Sequence, residues 1–295
     1  MKTTAITLIA VLALVSCSNN EDYDATGIFE ANTVTVSAET SGKLLEFSID
    51  EGDSIATGQE VGLIDTTLLS LQQKQIKSQM ASTEKSSPNI AAQAAALRSQ
   101  IAHQEEECER VSRLLADGAA TKKQHDDANA RLRTLRGELQ GLLSSLDNSR
   151  SSITESASAL QYQREQVEEQ IRKSRIIAPI TGTVLQKYAE QGEYASPGRP
   201  LFRMANLNDI YLRSYFTASQ LAHIKIGQKV TVIADFGGDE QYEYPGTITW
   251  IAQESEFTPK SIQTKDSRAN LVYAVKIAVK NDGRLKLGQY GEVRL

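Results

Sequence analysis

The sequence lacks an apolar run long enough to cross a bilayer as a helix. Its one strongly apolar stretch extends over 11 residues, from Ala5 to Val15, whereas a membrane-spanning helix needs about 20. The 295 residues are 40% hydrophobic and 23% charged, which is the composition of globular material sufficient for two or three small domains. We therefore do not expect the chain to form a transmembrane transporter by itself.

Cysteine and histidine are scarce, and there is no excess of basic charge. Two cysteines and three histidines occur, and 32 basic residues stand against 37 acidic ones. Because the histidines are far apart in the sequence, they predict no metal site. The sequence contains no nucleophile elbow, phosphate loop or Cys-x-x-Cys motif, and no basic stripe of the kind that binds nucleic acid. We therefore expect neither an enzyme nor a nucleic-acid-binding protein, and we nominate no residue as catalytic.

The beginning of the chain has the layout of a bacterial export signal. Lys2 precedes the apolar stretch, and small residues follow it. Leu14-Val15-Ser16-Cys17 resembles a lipobox, at which a peptidase cuts before a cysteine that receives a diacylglycerol. The resemblance implies a covalent lipid on Cys17, no other cofactor, and no disulfide partner for Cys108. Each buried methylene of an acyl chain contributes roughly 0.8 kcal/mol, so this lipid is expected to hold the protein on a membrane. The alternative is an ordinary secretory signal with a chance cysteine.

The most informative pattern is an internal repeat with a constant offset of 140 residues. Apolar and polar residues alternate within it, as in Leu45, Phe47 and Ile49, which predicts strands. Its glycines mark tight turns or close backbone approach. Since each half has about four short strands and cannot bury a core alone, we expect the halves to pack face to face as one β sandwich. The repeated identities are Ala38, Gly42, Gly52 and Gly58, matched by Ala178, Gly182, Gly192 and Gly198.

Two halves related in this way resemble the biotinyl/lipoyl-like domain. In the carrier proteins of that family, a lysine on the hairpin between the halves receives the cofactor. Here 108 residues between Asp65 and Ser174 replace that hairpin. No lysine has the flanking residues of a biotin or lipoate acceptor, so a carrier role is the least favoured alternative.

The inserted segment repeats apolar residues every seven positions, which indicates coiled-coil helices. We expect two antiparallel arms of about 50 residues, each roughly 75 Å long, with Cys108 as a buried small residue of the seam. The first arm carries the rows Leu69, Ile76, Thr83, Ile90, Leu97, Gln104, Val111 and Met80, Ser87, Ala94, Ile101, Cys108, Leu115. The second arm carries Leu132, Leu139, Leu146, Ile153, Leu160 and Val167, supported by Leu135 and Leu142.

Local signals mark the tip of the hairpin and one irregularity. Gly118 predicts the stop of the first arm, and Thr121 predicts the N-cap of the second. Pro88 predicts either a first-turn residue after a cap at Ser86 or Ser87, or a kinked helix. We favour a kink or local break, because the second arm needs a partner along its whole length.

Three residues near the tip, Arg110, Leu114 and Thr121, resemble the Arg, Leu and Ser motif of HlyD-type periplasmic adaptors, also called membrane fusion proteins. The spacing agrees, and Thr121 retains a hydroxyl where the family has a serine. In that family the motif docks onto the periplasmic helices of an outer-membrane channel of the TolC type. The resemblance implies that these three residues form a channel-docking surface. The alternative is a hairpin that serves only as a spacer or dimer seam.

The pattern returns to strands after Asn206. We expect strands at 210–216, 229–234, 246–251, 271–279 and 291–295, and a short helix at 218–224. Gly-Gln turns before two of these strands resemble those of the adaptor β barrel. The sequence around Glu256-Phe257-Thr258-Pro259-Lys260 and up to Tyr273 is similar to adaptors of ABC-2-type exporters. The end of the chain directly after the barrel also favours an ABC partner over one of the resistance-nodulation-division class.

We therefore predict a mixed α+β multidomain fold. Its parts are a signal peptide at 1–16, an acylated tether at 17–33, a split lipoyl-like sandwich at 34–65 and 174–206, a helical hairpin at 66–173 with its tip at 115–122, and an antiparallel β barrel at 207–295.

The resemblance implies a non-enzymatic periplasmic adaptor of a tripartite export system in a Gram-negative bacterium. The lipid is expected to rest in a membrane, with the inner membrane favoured. The implied partners are an inner-membrane transporter of the ABC class, a TolC-type outer-membrane channel, and further copies of the chain, usually six in a ring. The alternatives are a coiled-coil surface lipoprotein without a transporter and a biotin or lipoate carrier subunit.

Overall fold

A computed structural model describes residues 23–237, 241–257 and 271–295. Cys17 with its lipobox lies outside these residues, as does the Thr258-Pro259-Lys260 part of the C-terminal resemblance. Within the described ranges, no helix is both long and apolar enough to cross a membrane. The architecture is mixed, with a split β sandwich, a helical hairpin and an antiparallel β barrel, as predicted.

The chain enters through one barrel strand, builds half of the sandwich, forms the hairpin, completes the sandwich and ends in the barrel. The strands are β1 (Ala25–Glu30), β2 (Thr33–Ser37), β3 (Gly42–Phe47), β4 (Ser54–Ile55), β5 (Glu60–Ile64), β6 (Arg175–Ile177), β7 (Gly182–Lys187), β8 (Tyr194–Ala195), β9 (Pro200–Ala205), β10 (Asp209–Thr217), β11 (Lys229–Asp235), β12 (Gln241–Ile251), β13 (Glu256–Phe257), β14 (Leu271–Lys280) and β15 (Tyr290–Arg294). The helices are α1 (Thr67–Lys85), α2 (Ile90–Ala116), α3 (Lys122–Lys173) and α4 (Ala218–Leu221).

The sandwich consists of two four-stranded sheets with the orders β2-β9-β7-β4 and β6-β5-β3-β8. Both sheets contain strands from both halves of the repeat. The predicted sandwich is therefore confirmed, but the expectation that one half packs face to face against the other is wrong. Each half contributes two strands to each sheet, so both sheets depend on hydrogen bonds between the halves.

The offset of the repeat relates strands and hydrogen bonds as well as residues. β3 and β7 begin at Gly42 and Gly182, and β4 and β8 begin at Ser54 and Tyr194. The bonds between the halves are reciprocal, so each half holds the other in the same way. Gly52 N donates to Val184 O at 2.9 Å and Gly192 N to Leu44 O at 2.8 Å, while Gly58 N donates to Ala178 O at 2.8 Å and Gly198 N to Ala38 O at 2.9 Å.

The repeated glycines divide into two kinds. Gly52, Gly58, Gly192 and Gly198 have φ angles of 97°, 81°, 94° and 84°, in the region that favours glycine. Gly42 and Gly182 instead allow close approach: a Cβ would lie 2.7 Å from Ile64 Cγ2 at Gly42, and against the Ala205 carbonyl at Gly182. The first four shape turns, and the last two let strands meet.

One strand departs from the expected alternation. Leu44 is fully buried, whereas Leu45 is 42% exposed, so the prediction that Leu45 shares the inward face of Phe47 is wrong. A bulge interrupts the pairing of β3 with β5 between Leu44 and Glu46. The extra residue of a bulge shifts the alternation of side chains by one position.

The predicted antiparallel hairpin is present, with α3 packed along α1 and then α2. Residues 86–89 separate α1 from α2, so Pro88 lies in a local break, as favoured from the sequence. The cap of α2 is Asn89 rather than either preceding serine, because its side chain accepts a hydrogen bond from Ala92 N at 3.0 Å.

Few residues are buried in the seam between the arms. Cys108 is only partly buried, and among the predicted seam residues Ser87 alone is exposed. Gln104 donates from Nε2 to the Ala128 carbonyl at 3.2 Å, which satisfies a polar group within the seam. The buried residues are Ile76, Ala94, Ile101 and Val111 on the first arm, and Ala128, Leu135, Leu146 and Val167 on α3.

Six strands close the barrel in the order β10-β1-β15-β11-β12-β14, and β14 pairs back to β10. β13 extends the sheet at β14. All five strands expected after Asn206 are present, whereas the helix α4 ends at Leu221, before the expected residue 224.

Residues 25–30 form the first barrel strand, so the tether expected at 17–33 extends too far. β1 pairs with β10 on one side and β15 on the other, and Phe29 is fully buried in the barrel core. The inward positions before Phe29 are Ala25 and Gly27. Since both are small, the apolar alternation of this strand is weak in the sequence.

Candidate functional site

The tip connects α2 to α3 through residues 117–120. α2 ends in a Schellman motif, in which Ala119 N donates to the Leu114 carbonyl at 2.8 Å and Gly118 N donates to the Leu115 carbonyl at 3.1 Å. Gly118 has a φ of 73°, which would strain a residue with a side chain. The predicted stop at Gly118 is confirmed, and the end of α2 is closed by its own backbone.

Thr121 is the N-cap of α3, as predicted, and it forms a capping box with Gln124. The Thr121 hydroxyl accepts from Gln124 N at 3.3 Å, and Gln124 Oε1 accepts from Thr121 N at 2.8 Å and from the hydroxyl at 3.0 Å. A hydroxyl has one proton to donate. That proton is used within the tip, so Thr121 offers a partner an acceptor and a methyl group.

Arg110 lies on the exposed surface of α2 and is held by Glu107. Its Nε donates to Glu107 Oε2 at 2.9 Å, and its Nη2 donates to Oε1 at 2.6 Å. This two-point hydrogen bond raises the pKa of Arg110 above its ordinary value and lowers the pKa of Glu107 below its own. The Arg110 side chain is 61% exposed, so it remains accessible in an orientation that Glu107 sets.

The three predicted docking residues are distributed over both helices of the tip. Leu114 follows Arg110 by four residues, so the two side chains share one face of α2, and Leu114 is half-buried. Thr121 is exposed at the start of α3. The arrangement offers a charged group, an apolar group and a helix start within a short distance along the chain.

A shallow groove of about 420 Å³ lies between the arms beside the tip. Asn129 Nδ2 donates to the His125 carbonyl at 3.0 Å at its edge, and Arg136 bridges the arms by donating to Glu105 at 2.7 Å. Among the described residues, no group of three His, Cys, Asp or Glu is arranged to hold a metal ion. The lining residues are Cys108, Glu109, Ser112, Arg113, His125 and Asn129.

Sequence reasoning missed two residues that shape the tip. Gln124 has a recognisable signal, because a Thr followed three positions later by Gln is the pattern of a capping box. Glu107 precedes Arg110 by three residues, a spacing that favours ion pairs on a helix. Both were readable from spacing alone.

Comparison with known proteins identifies the family of the chain. A family model described as the barrel-sandwich hybrid domain of RND membrane fusion proteins matches residues 32–205. This range covers both halves of the sandwich and the hairpin between them.

Two relatives and one solved structure are similar over most of the chain. A UPF0194 membrane protein of Acidithiobacillus ferridurans is 27% identical over 287 residues, covering 89% of this chain and 83% of the relative. A UPF0194 membrane protein of Yersinia enterocolitica is 26% identical over 327 residues, covering 98% and 96%. The crystal structure of MacA from Actinobacillus actinomycetemcomitans has a TM-score of 0.58 at 21% identity, covering 91% of this chain and 76% of that chain, which shows a shared fold.

Proposed function

Because the chain belongs to the membrane fusion protein family with the RND-type barrel-sandwich hybrid domain, we propose that it is the periplasmic adaptor subunit of an export system. In this role it links an inner-membrane transporter to an outer-membrane channel. It acts by binding and by transmitting conformational state, without a catalytic residue.

The observation that carries this proposal is how the hairpin joins the sandwich. Ile64 N donates to the Ser174 carbonyl at 2.9 Å, so the two arms leave the sandwich side by side. The hydroxyls of Thr40 and Ser174 are both buried and lie 3.1 Å apart. α3 has 52 residues, or about 78 Å at a rise of 1.5 Å per residue. A hairpin that is hydrogen-bonded to the sandwich at its base, is about 78 Å long and has capped helices at its tip is suited to contact a distant partner.

The barrel end of the molecule is compatible with a lipid on Cys17. Asp24 N donates to Val293 O at 2.7 Å, at the end of the barrel where β1 begins. β1 then leads into the sandwich strand β2 through two residues, 31 and 32. A lipid on Cys17, seven positions before Asp24, brings this barrel end closest to the membrane. We propose the outer face of the inner membrane as its location, in the periplasm of a Gram-negative bacterium.

We propose an ABC-class transporter, a TolC-type channel and a ring of six copies as the assembly. The resemblance of the sequence around residues 256–273 to adaptors of ABC-2-type exporters supports the transporter class. One hairpin cannot enclose a conduit, so several copies are needed to surround it. Arg110, Leu114 and Thr121 are the proposed docking residues for the channel.

The tip assignment is tested by capture of the outer-membrane channel from solubilised envelopes on the full lipoprotein, with the captured protein identified by mass spectrometry. We expect Arg110→Asp and Leu114→Asp each to reduce capture by about tenfold or more. Arg110→Asp reverses the charge that faces the channel, and Leu114→Asp replaces an apolar contact by a carboxylate.

Matched controls carry the same substitutions away from the tip. Arg98→Asp lies on the exposed surface of α2, and Leu71→Asp lies on α1, where Leu71 is already 55% exposed. Both controls are expected to keep wild-type capture. Folded tip variants that capture the channel as well as wild type overturn the tip assignment.

The transporter class is tested separately by identifying what copurifies with the wild-type lipoprotein. An ATPase and an ABC permease are expected. A structural coiled-coil lipoprotein copurifies with neither, and a biotin or lipoate carrier shows the added group in its intact mass.

A further inference from the structure

The break between α1 and α2 is not demanded by the packing of the hairpin. Thr83 and Ile90 are partly buried on either side of it, and they are seven positions apart, in the same row of the seam. No residue is inserted or deleted relative to a continuous coiled coil. A continuous first arm would therefore bury the same residues, so packing against α3 does not account for the interruption.

The interruption is built from local chemistry. The amides of Ser86 and Ser87 donate to carbonyls three residues earlier, both at 3.1 Å, which closes α1. Pro88 has no amide proton and cannot continue the helical ladder. Asn89 then caps α2 through its side chain. The two helices are thus joined without a continuous ladder of backbone hydrogen bonds.

Two contacts between the arms show what faces the break. Gln73 donates to Glu168 at 3.0 Å near the base, and Arg136 donates to Glu105 at 2.7 Å near the tip. Both pairs have the same sum of residue numbers, so the arms run in constant antiparallel register between them. The break therefore lies opposite the region of Thr154.

That region of α3 is itself weak as a helix. Serine or threonine occupies eight of the fifteen positions at 144–158, and both residues have low helix propensity. The hydroxyls of Thr154, Ser156 and Ser158 donate to carbonyls four residues earlier, a contact that destabilises and bends helices.

Buried residues between the two arms are also sparsest beside the break. On the first arm, no residue is buried between Ile76 and Ala94, and on α3 none is buried between Leu146 and Val167. In the register of the hairpin, these two stretches face each other. The apolar contacts that resist local opening are therefore fewest here.

Both ends of the hairpin are held more firmly. At the base, Asp65 Oδ1 accepts from Thr67 N at 2.8 Å, and Ser174 is fully buried with its hydroxyl donating to the Gln170 carbonyl at 2.9 Å. At the tip, the Schellman motif and the capping box close both helices. The contacts that resist bending are therefore fewest in the middle of the hairpin.

We infer that residues 86–89 together with residues 144–158 form a flexural joint, which lets the tip half of the hairpin tilt on the base half without separating the arms. The inference concerns the mechanics of the arm and does not rest on the proposed docking function. α2 has 27 residues, so a tilt of about 10° at the joint displaces the tip by roughly 7 Å.

The joint is tested by spin-label distance measurements on the full lipoprotein in detergent, in a Cys108→Ala background. One label pair, Lys77→Cys with Gln100→Cys, spans the break, and a matched pair, Gln93→Cys with Ala116→Cys, lies wholly within α2. All four positions are exposed, and both pairs are 23 residues apart, about 35 Å along a straight helix. We expect the distance distribution of the spanning pair to be about twofold wider than that of the pair within α2.

A second variant replaces residues 86–89 by four alanines, which extends the helix in the phase of the seam. It is expected to narrow the distribution of the spanning pair to the width of the matched pair. Equal widths for the two pairs in the unaltered arm overturn the inference, and this comparison stands even when the alanine variant does not fold. A distribution that stays wide in a folded alanine variant also overturns the assignment of the joint to these residues.

Discussion

The sandwich and the hairpin are held together by opposite means. Fifteen buried apolar residues form the sandwich core within two segments of about thirty residues, and its halves exchange reciprocal backbone hydrogen bonds. The hairpin places eight buried side chains along a single seam and depends on helix formation and its caps for the rest. The sandwich therefore has little tolerance for change, whereas the hairpin accommodates polar seam residues and even a break.

The largest expected loss of stability comes from truncating a core side chain, and it is compared between one residue of the sandwich and one of the hairpin. Phe202 is fully buried against Phe47, with ring centroids 6.2 Å apart, and Phe202→Ala is expected to cost about 3–5 kcal/mol. Leu146→Ala in the seam is expected to cost about 2 kcal/mol, because solvent and neighbouring side chains fill the space more easily. Denaturant unfolding followed by circular dichroism measures both. Equal losses contradict the contrast between a closed core and an open seam.

A single pair of glycine substitutions is expected to change stability in opposite directions. At Gly182 a Cβ would press on the Ala205 backbone, with its carbonyl carbon at 2.7 Å, so Gly182→Ala is expected to destabilise the sandwich by about 2 kcal/mol. Gly137 lies in α3 with open space around it, and Gly137→Ala is expected to stabilise the helix by about 0.5–1 kcal/mol. Thermal unfolding shows the two signs. A stabilised Gly182→Ala protein would refute the close approach of these strands.

The smallest effect concerns the cap of α3. Thr121→Ala removes the hydroxyl that accepts from the Gln124 amide and is expected to cost about 1 kcal/mol, seen as faster hydrogen exchange at that amide. Thr121→Ser is the matched control, since it keeps the hydroxyl, and it is expected to leave exchange and channel capture unchanged. Unchanged exchange at Gln124 in Thr121→Ala shows that the cap does not hold this end of the hairpin.

Much of the fold was predictable because its signals are local or repeated. The alternation around the repeated glycines predicted the sandwich strands, and the heptad rows predicted the arms. Gly118 and Thr121 predicted the turn between them. At the candidate site, Arg110, Leu114 and Thr121 came from a resemblance, and the structure adds their setting rather than their role. Glu107 and Gln124 were readable from spacing but were missed.

Other features were hidden because a partner far away in the chain decides them. Strand β1 has small inward residues, so its alternation of apolar and polar residues is weak. Its position in the barrel follows from pairing with β10 and β15. The exposure of Leu45 follows from a bulge opposite β5, which no periodicity in β3 itself reveals.

Periodicity and glycine placement act on neighbouring residues, so they were enough to predict two related halves, the length and phase of the helical arms, and the position of the tip. How the halves share two sheets, which strand completes the barrel, and which part of α3 faces the break follow only from contacts in the folded protein. These depend on hydrogen bonds and burial between segments more than 50 residues apart, and the periodicity of a single segment does not specify its partner.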